Sequence, residues 1–470
     1  MLDTLFRLFE LGAVGYMLLV IGHYVALSLV AIPALARLRW RAEHFHTSEA
    51  IASASAPPIS LLVPMYNEEP VCVESVRALL GVSYPSRQIL VINDGSKDGT
   101  VARLVEAFEL VEMPRLPTSA LHHAAVRATY RSRLDPALWL IDKANGGKAD
   151  ALNAGLAYCQ TPLFCMLDGD SLLAEDALLR AAQPFLEDAS TVAVGGTIGI
   201  VNGSTVRNGR VLGLRMPRAW LARFQALEYI RAFAAARVGW SSLNALMIIS
   251  GAFGLFRREP VVAIGGLDED TVGEDMELVM RLHRYHLDRR IPYRIGYAPD
   301  AVSWTECPES AAVLGRQRDR WHRGLAQILW RHRGMAFRAR YGRIGWLAFP
   351  AFLFIELLGP LYEFVGLPLT ALLWWLGLIH WPVALQVYLL TVLLGVAQSM
   401  GAVALEQLAF RRYTRTRDVA LLLGVAVLEN LGYRQLTVWW RVRGILNFLR
   451  DNNSWGEMTR TGFAVEEATA

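Results

Sequence analysis

The feature that most constrains this chain is an uncharged apolar run near its N-terminus, at residues 11–35. About 20 apolar residues suffice for a helix to cross a hydrocarbon core, and this run is longer than that. A cleaved signal peptide is the alternative, because Ala34 and Ala36 have the spacing of a cleavage box. However, the run is too long for a signal peptide, and Asp3 and Glu10 offset the positive charge expected before it. We therefore expect a first transmembrane helix.

Three arginines follow the run directly, at Arg37, Arg39 and Arg41. Basic residues concentrate at the cytoplasmic ends of membrane spans, so we expect this end of the helix and the chain after it to be cytoplasmic. We assign residues 1–41 to an N-terminal transmembrane helix. Residues 42–58 are mostly small and polar and end in a Pro-Pro pair, which is typical of a linker.

Apolar residues return in the C-terminal part of the chain. Residues 346–379 are nearly uncharged, but the stretch is too long for one straight crossing and contains three prolines. It therefore predicts a broken or re-entrant helix. Residues 382–405 predict a further span, and the arginines that follow it indicate a return on the cytoplasmic side.

The last apolar stretch, 419–440, contains polar side chains that are costly against lipid. They should face protein, a cavity or the interface, and they are Glu429, Asn430, Tyr433, Arg434 and Gln435. A full crossing would place the basic residues that follow on the outer side, so we expect an interfacial or re-entrant segment. We assign residues 336–450 to transmembrane or re-entrant helices and residues 451–470 to a cytoplasmic tail.

The composition agrees with a membrane protein that carries a polar domain. Apolar residues make up 53% of the chain and charged residues 19%, and the mean hydropathy is +0.28. The net charge of +4 is small and dispersed, which argues against a nucleic-acid partner. The four cysteines have no CxxC pairing and no histidine at zinc-site spacing, so we expect buried thiols in a reducing compartment.

Between the apolar segments, residues 59–335 predict a cytoplasmic domain with interface helices at its C-terminal end. Strand-like and helical runs alternate there, in the order ISLLVP, VCVESVRALLG, QILVIND, TVARLVEAFEL, ALWLID, KADALNAGLAYC and LFCMLD. This order is typical of an α/β fold with a doubly wound, mainly parallel sheet, inserted here between transmembrane helices. Residues 108–137 are too long for a simple connection, and we expect a solvated lobe there.

Each predicted strand ends in polar residues, which include Glu68, Asp94, Asp142, Asp168 and Asp170. The carboxyl ends of parallel strands share one edge of the sheet, where ligands bind in such folds. Carboxylates that face one crevice repel each other unless a cation neutralises them. The sequence therefore predicts a Mg²⁺ or Mn²⁺ site whose ligands are Asp168 and Asp170, although a DxD pattern alone is also common in capped turns.

A second feature of this edge is the loop Gly146-Gly147-Lys148, which precedes a predicted helix. Helix N-termini bind anions, and Lys148 would meet a phosphate there, whereas a flexible turn would not need the lysine. Neither GxxxxGK[ST] nor GxGxxG follows the first strand, so the P-loop and Rossmann interpretations lack their phosphate-binding loop.

Seven ordered motifs over roughly residues 59–330 carry a family resemblance: LLVPMYNEE, VINDGSKDGT, NGGKADALNAG, MLDGDSLL, ISGAFGLFRR, GEDMELVMRL and QRDRW. The set resembles membrane-embedded family-2 glycosyltransferases, the synthases of poly-N-acetylglucosamine, cellulose, hyaluronan and chitin. The sequences of the motifs VINDGS and GKADALN are most similar to those of the poly-N-acetylglucosamine type.

The resemblance implies a GT-A fold, a nucleotide-sugar donor that is usually UDP-linked, and inverting transfer. Glu68 and Asp94 would hold the uracil and ribose, and Lys148 and Asp168 would hold the nucleotide. Asp170 would carry the divalent metal on the diphosphate, next to Asp168.

The resemblance also implies the catalytic set. The motif GEDMEL contains Glu274 and Asp275, and Asp275 would be the general base. Within QRDRW, Gln317, Arg320 and Trp321 would lie beside the diphosphate and the acceptor sugar. Both motifs also have structural explanations, an acidic pair favoured by a helix N-terminus and an amphipathic helix on the membrane surface.

We therefore expect a multi-pass enzyme of the inner or plasma membrane with a cytoplasmic catalytic domain. It would use UDP-glucose or UDP-N-acetylglucosamine to elongate, and to translocate, a β-linked polysaccharide. Two alternatives stay open, a non-processive transferase that adds one sugar to a lipid carrier or glycolipid, and a non-catalytic membrane scaffold. The expected partners are the sugar donor, the growing polysaccharide or lipid acceptor, membrane lipid, and export or regulatory proteins.

Overall fold

The computed structural model describes residues 2–44, 56–207, 209–377 and 381–450. The chain divides into two compact units. The sheet unit comprises Trp40–Pro217 and Asn244–Cys307, and the helical unit comprises the chain up to Arg39, Arg218–Leu243 and the chain from Pro308 onwards. This division differs from the predicted domain at 59–335, because two stretches inside those bounds group with the apolar helices. The predicted tail lies outside the described residues, as does most of the predicted linker.

The sheet unit is built on a ten-stranded sheet with the strand order β3-β4-β5-β2-β1-β6-β11-β8-β12-β7, and β9 and β10 form a separate hairpin. The strands are β1 Ile59–Met65, β2 Arg87–Asp94, β3 Leu110–Glu112, β4 Val126–Ser132, β5 Leu138–Lys143, β6 Leu163–Leu167, β7 Leu172–Leu173, β8 Thr191–Ile200, β9 Thr205–Arg207, β10 Arg210–Gly213, β11 Phe253–Arg257 and β12 Arg294–Thr305. The predicted α/β class is thus confirmed.

Parallel pairing is concentrated in the block β5-β2-β1-β6, whose neighbours are all parallel. These are the four strands predicted from the sequence, and nearly every residue of β1, β5 and β6 is buried. Strands covered on both faces read as continuous apolar runs, which is why they were predictable. The full sheet is mixed, because β4, β7 and β11 pair antiparallel with their neighbours.

The helices of the sheet unit include all three that the sequence predicts. They are Cys72–Leu80, Thr100–Ala107, Lys148–Tyr158, Ala177–Glu187, Arg258–Ala263 and Glu274–Arg289. Residues 108–137, expected to be a solvated lobe, instead contribute β3 and β4 to one edge of the sheet. Their side chains are mostly exposed or half-buried, so this edge lacks the apolar run of a central strand.

The helical unit contains helices of very different length. They are Leu2–His44, Trp220–Ile230, the π-helix Arg231–Ala236, Arg237–Ser242, Ala311–Arg331, the 3₁₀ turns Arg333–Met335 and Ala339–Tyr341, the π-helix Ile344–Ala348, Phe349–Ala351, the π-helix Phe352–Leu357, Gly359–Trp375, Trp381–Ala409, Thr416–Leu428 and Tyr433–Leu449.

Three described helices are long and apolar enough to cross a membrane: Val14–Trp40, Ile344–Trp375 and Tyr388–Ala409. The interruptions predicted around 346–379 take the form of π-helical turns on either side of Pro350 and before Pro360. The pair Thr416–Leu428 and Tyr433–Leu449 bends by 63° at its break, as in a broken span or a re-entrant loop.

Of the polar side chains of the last apolar stretch, Glu429, Asn430 and Tyr433 are buried against protein, as predicted, whereas Gln435 is exposed. Glu429 is buried, accepts a hydrogen bond from the Ser399 hydroxyl at 2.8 Å, and forms an ion pair with Arg231. The Arg434 guanidinium donates two hydrogen bonds to Glu363, at 2.9 and 2.6 Å. Pairing of this kind compensates the cost of holding charge in an apolar layer.

Candidate active site

The candidate site begins with the register of the parallel strands. Met65 pairs with Asn93, and Asn93 pairs with Asp142, so three strands of the block end at the same level. The polar residues that follow these strands therefore share one edge of the sheet, which is where ligands bind in open α/β sheets.

Lys148 is the centre of the charged cluster at this edge. It is the first residue of the helix Lys148–Tyr158, and the preceding Gly147 adopts φ +90°, a left-handed conformation that favours glycine. The Lys148 ammonium lies 2.6 Å from Asp168 Oδ1 and 3.1 Å from Glu274 Oε1. Burial would lower the pKa of Lys148, but Asp168 and Glu274 outweigh it and raise that pKa. The lysine is therefore a fixed positive charge shared by two carboxylates.

Asp275 lies next to this cluster, in the first turn of Glu274–Arg289. Its carboxylate accepts hydrogen bonds from the backbone N–H groups of Gly251, at 3.1 Å, and Met276, at 2.7 Å. Burial and the charge of Glu274 raise the pKa of Asp275, while Lys148 and the two N–H groups oppose that shift. A positioned carboxylate with a raised pKa suits a general base.

The DGD turn follows β6 directly. Asp168 is about one-third exposed and bonds Lys148, and Asp170 is half-buried. A Cβ atom added at Gly169 would lie 3.9 Å from Glu68 Oε1, so the buried Glu68 lies beside this turn. Asp168, Glu68, Lys148, Glu274 and Asp275 are thus the predicted residues whose contacts place them around one edge of the sheet.

Asp94 lies at the same edge of the sheet and is bound by several protein donors. It is 4% exposed, and its carboxylate accepts hydrogen bonds from Asn145 Nδ2 and from the backbone N–H groups of Gly146 and Gly147. It also accepts one from the Lys143 ammonium at 2.5 Å. Asp94 therefore fixes the loop that carries Lys148 through four protein donors, and its assignment to the uracil and ribose stays a prediction.

Lys143 also lies at the end of a predicted strand, but the sequence assigns it no role in this site. Its side chain has no exposed area, and its ammonium contacts Asp94, Asp150 and the carbonyl of Ala144. A buried lysine is rare unless it is paired. A signal was present, because Lys143 follows Trp139 and Ile141 at a spacing of two, which places it on a buried face of β5.

The three predicted residues of QRDRW lie on Ala311–Arg331, in the helical unit. Gln317 and Arg320 are half-buried, and Trp321 is 43% exposed. Their assignment to the diphosphate and acceptor stays a prediction.

One trio of metal-type side chains converges within the described residues, and it is not the predicted one. Ligand atoms of His122, Asp150 and Glu269 lie within 4.8 Å of one another. However, Asp150 is already paired with the buried Lys143, and the His122 side chain is 85% exposed. The lysine charge disfavours a cation there.

Comparison with known proteins identifies the family. The model of Glycosyl transferase family 2 matches residues 60–262, and that of Glycosyl transferase family group 2 matches residues 163–397, half of the chain. Poly-beta-1,6-N-acetyl-D-glucosamine synthase of Staphylococcus epidermidis is 27% identical over 278 residues, and that of Staphylococcus aureus strain COL is 28% identical over 274 residues. Each match covers 58% of this chain and 56% of the relative, so the chain spans just over half of those proteins.

Among solved structures, the mannosyltransferase PcManGT from Pyrobaculum calidifontis, in complex with GDP-Man and Mn²⁺, aligns over 92% of this chain and 99% of its own. The sequence identity is 19% and the TM-score 0.49. The ordered motifs, the mixed α/β sheet and the two family matches agree, and the chain belongs to Glycosyl transferase family group 2 as a synthase-like glycosyltransferase.

Proposed function

We propose that this chain is a membrane-embedded inverting glycosyltransferase that elongates a β-linked polysaccharide from a nucleotide-sugar donor. The observation that carries the proposal is the cluster at the strand ends, where Lys148 joins Asp168 to Glu274 and Asp275 lies beside them. The UDP-linked donor and the sugars named above, glucose or N-acetylglucosamine, belong to this proposal. The similarity to poly-beta-1,6-N-acetyl-D-glucosamine synthases supports N-acetylglucosamine as the first donor to test.

The chemistry of the cluster suits this reaction. Transfer breaks the bond between the anomeric carbon and the diphosphate, so negative charge develops on the leaving group. The Lys148 ammonium is positioned to meet that charge. The acceptor hydroxyl must lose a proton as it attacks, and Asp275 is the carboxylate we assign to accept it. Attack from the side opposite the diphosphate inverts the anomeric configuration.

A divalent metal fits the residues of the DGD turn. Asp168 and Glu274 share the ammonium of Lys148, which leaves surplus negative charge at this edge. Mg²⁺ and Mn²⁺ prefer oxygen ligands and often take one or two carboxylates plus substrate phosphates. Asp170 and Asp168 would hold the ion. When bound, it would supply Lewis-acid stabilisation of the diphosphate.

The acceptor side of the proposal rests on QRDRW. We assign Arg320 and Gln317 to the departing diphosphate and Trp321 to the acceptor sugar, whose apolar face suits an indole ring. The apolar helices support insertion in the cell membrane. The arginines at 37, 39 and 41 support a cytoplasmic site, and the paired charges Glu363–Arg434 and Arg231–Glu429 support a hydrophilic route for the product.

The direct test is nucleoside diphosphate release by the purified full-length protein over a panel of UDP-sugars and GDP-mannose, with Mg²⁺ or Mn²⁺. Products would be sized by gel after digestion with specific glycosidases. A long polymer from one donor supports the proposal. A single sugar on a lipid would establish the non-processive alternative, and donor binding without turnover would favour the scaffold.

Asp170→Ala should weaken donor binding only when the metal is present. Removing a proposed metal ligand should raise the donor Kd by about tenfold or more in Mn²⁺, because second-shell changes alone cost that much. Isothermal titration with and without EDTA measures the effect. Asp176→Ala, which changes an exposed carboxylate shortly after the turn, is the matched control. Equal weakening with and without metal would remove Asp170 from the metal site.

Trp321→Ala should impair elongation far more than donor hydrolysis. Removal of a tryptophan that contacts a ligand costs enough binding free energy to lower transfer to the acceptor about tenfold or more. Hydrolysis of the donor by water does not require the indole ring. Polymer yield and diphosphate release without acceptor are measured side by side. If both rates fall together, Trp321 does not bind the acceptor.

A further inference from the structure

The Trp321 ring is covered on one face by an arginine. Arg318 precedes Trp321 by three residues on Ala311–Arg331, so the two side chains share a helix face. The Arg318 Cζ atom lies 4.7 Å from the centre of the indole ring, within the range of a cation–π contact. The tryptophan is nevertheless 43% exposed, which leaves ring surface available to a ligand.

Arg318 is itself held by two other helices of the helical unit. Its side chain is 11% exposed and forms an ion pair with Glu228 of Trp220–Ile230. Tyr433, the first residue of Tyr433–Leu449, is buried beside this ion pair, and its ring stacks on Phe224 with a centroid distance of 4.5 Å. The ion pair with Glu228 therefore holds the guanidinium in place before any ligand arrives.

The helix that carries both residues is also fixed in rotation. Asp319 accepts hydrogen bonds from Arg443 Nε at 2.8 Å and Asn447 Nδ2 at 2.7 Å. The two helices approach closely at Gly444, where a Cβ atom would lie 2.6 Å from the carbonyl oxygen of Asp319. Rotation of Ala311–Arg331 would break both hydrogen bonds. These contacts therefore set the side of the helix on which Trp321 projects.

We propose that Arg318 is a positioning residue that holds the Trp321 ring so that its uncovered surface is presented to the acceptor sugar. The proposal rests on the acceptor role assigned to Trp321 above. An exposed aromatic side chain loses rotamer freedom when a ligand immobilises it, and that loss weakens binding. Arg318 removes that cost in advance, because the ring is already ordered against a guanidinium that Glu228 holds.

The test is a double-mutant cycle between the two residues in the full-length protein. Arg318→Met should raise the KM for an acceptor oligosaccharide about fivefold and leave donor hydrolysis within about twofold. In a Trp321→Ala background the same change should add less than about twofold, because there is no ring left to hold. Arg318→Lys keeps a positive charge beside Glu228 but loses the planar guanidinium group. Its acceptor KM should therefore lie between those of the wild type and Arg318→Met. Arg316→Met, at an exposed position of the same helix, is the control and should match the wild type.

A second measurement does not depend on activity. In protein labelled with 5-fluorotryptophan, the ¹⁹F resonance of Trp321 is assigned by its loss in Trp321→Phe. It should shift and broaden in Arg318→Met and remain in place in Arg316→Met. An unchanged resonance in Arg318→Met would overturn the proposal, as would equal losses of hydrolysis and elongation or additive losses in the cycle. Absence of transfer with every donor would refute the proposed function, while the ¹⁹F result would still decide the role of Arg318.

Discussion

Asp275→Asn is expected to abolish sugar transfer while leaving donor binding nearly intact. The asparagine amide cannot accept the acceptor proton, and general-base catalysis contributes about 10²–10⁴-fold to a rate. Its oxygen can still accept a hydrogen bond from the Gly251 N–H group, so the turn before Glu274–Arg289 should keep its shape. Transfer rates and donor titration on the same preparation measure the two effects separately.

The control for this variant is Asp288→Asn, near the other end of the same helix and about 20 Å away. It should retain the wild-type rate. Glu274→Gln is the informative contrast, because it removes a partner of Lys148 and should weaken donor binding. If Asp275→Asn weakens donor binding as much as Glu274→Gln does, Asp275 would be a donor ligand and not the base.

The assignment of Asp275 as the general base also predicts how the transfer rate changes at acidic pH. Asp275 must be ionised to accept a proton, and burial together with Glu274 raises its pKa above the ordinary value of about 3.9. Acidification therefore protonates it at a higher pH than an exposed aspartate, and the rate should fall there. The transfer rate measured at saturating donor from neutral pH downwards should show this limb in the wild type.

Elements and residues are predictable from the sequence where burial and chemistry leave a local pattern. β1, β2, β5 and β6 are covered on both faces, so they read as apolar runs that end in polar residues. Their parallel register then brings those polar ends together without further information. The acidic and lysine positions around Lys148 were identifiable for this reason.

What escaped prediction depends on contacts between distant segments. β3 has only three residues and pairs with β4, while β4 is mostly polar and pairs with β3 and β5, so it is this pairing that makes them strands. The helix Trp220–Ile230 carries Arg223, Gln225 and Glu228, so its sequence gives no sign that Arg218–Leu243 groups with the apolar helices. The full use of Asp94 by protein donors follows from the fold of the loop at 145–147, which no sequence pattern specifies.

Lys143→Met should both destabilise the sheet unit and weaken donor binding. The substitution leaves Asp94 and Asp150, which are 4% and 2% exposed, without their shared cation. Removing one partner of a buried ion pair costs about 3–5 kcal/mol, because the remaining charge is left uncompensated. Asp94 holds the N–H groups of Gly146 and Gly147, so its displacement should also move Lys148 away from Asp168.

Thermal unfolding and donor titration separate these two consequences through two further variants. Lys97→Met, at an exposed lysine, should stay within about 0.5 kcal/mol of the wild type. Adding Asp150→Asn to Lys143→Met removes one of the stranded charges and keeps an oxygen for the Ala124 N–H group, so it should recover part of the lost stability. Donor affinity should recover less, because Asp94 still lacks its cation. If Lys143→Met has the same unfolding temperature and the same donor affinity as the wild type, the loop that presents Lys148 does not depend on this buried lysine.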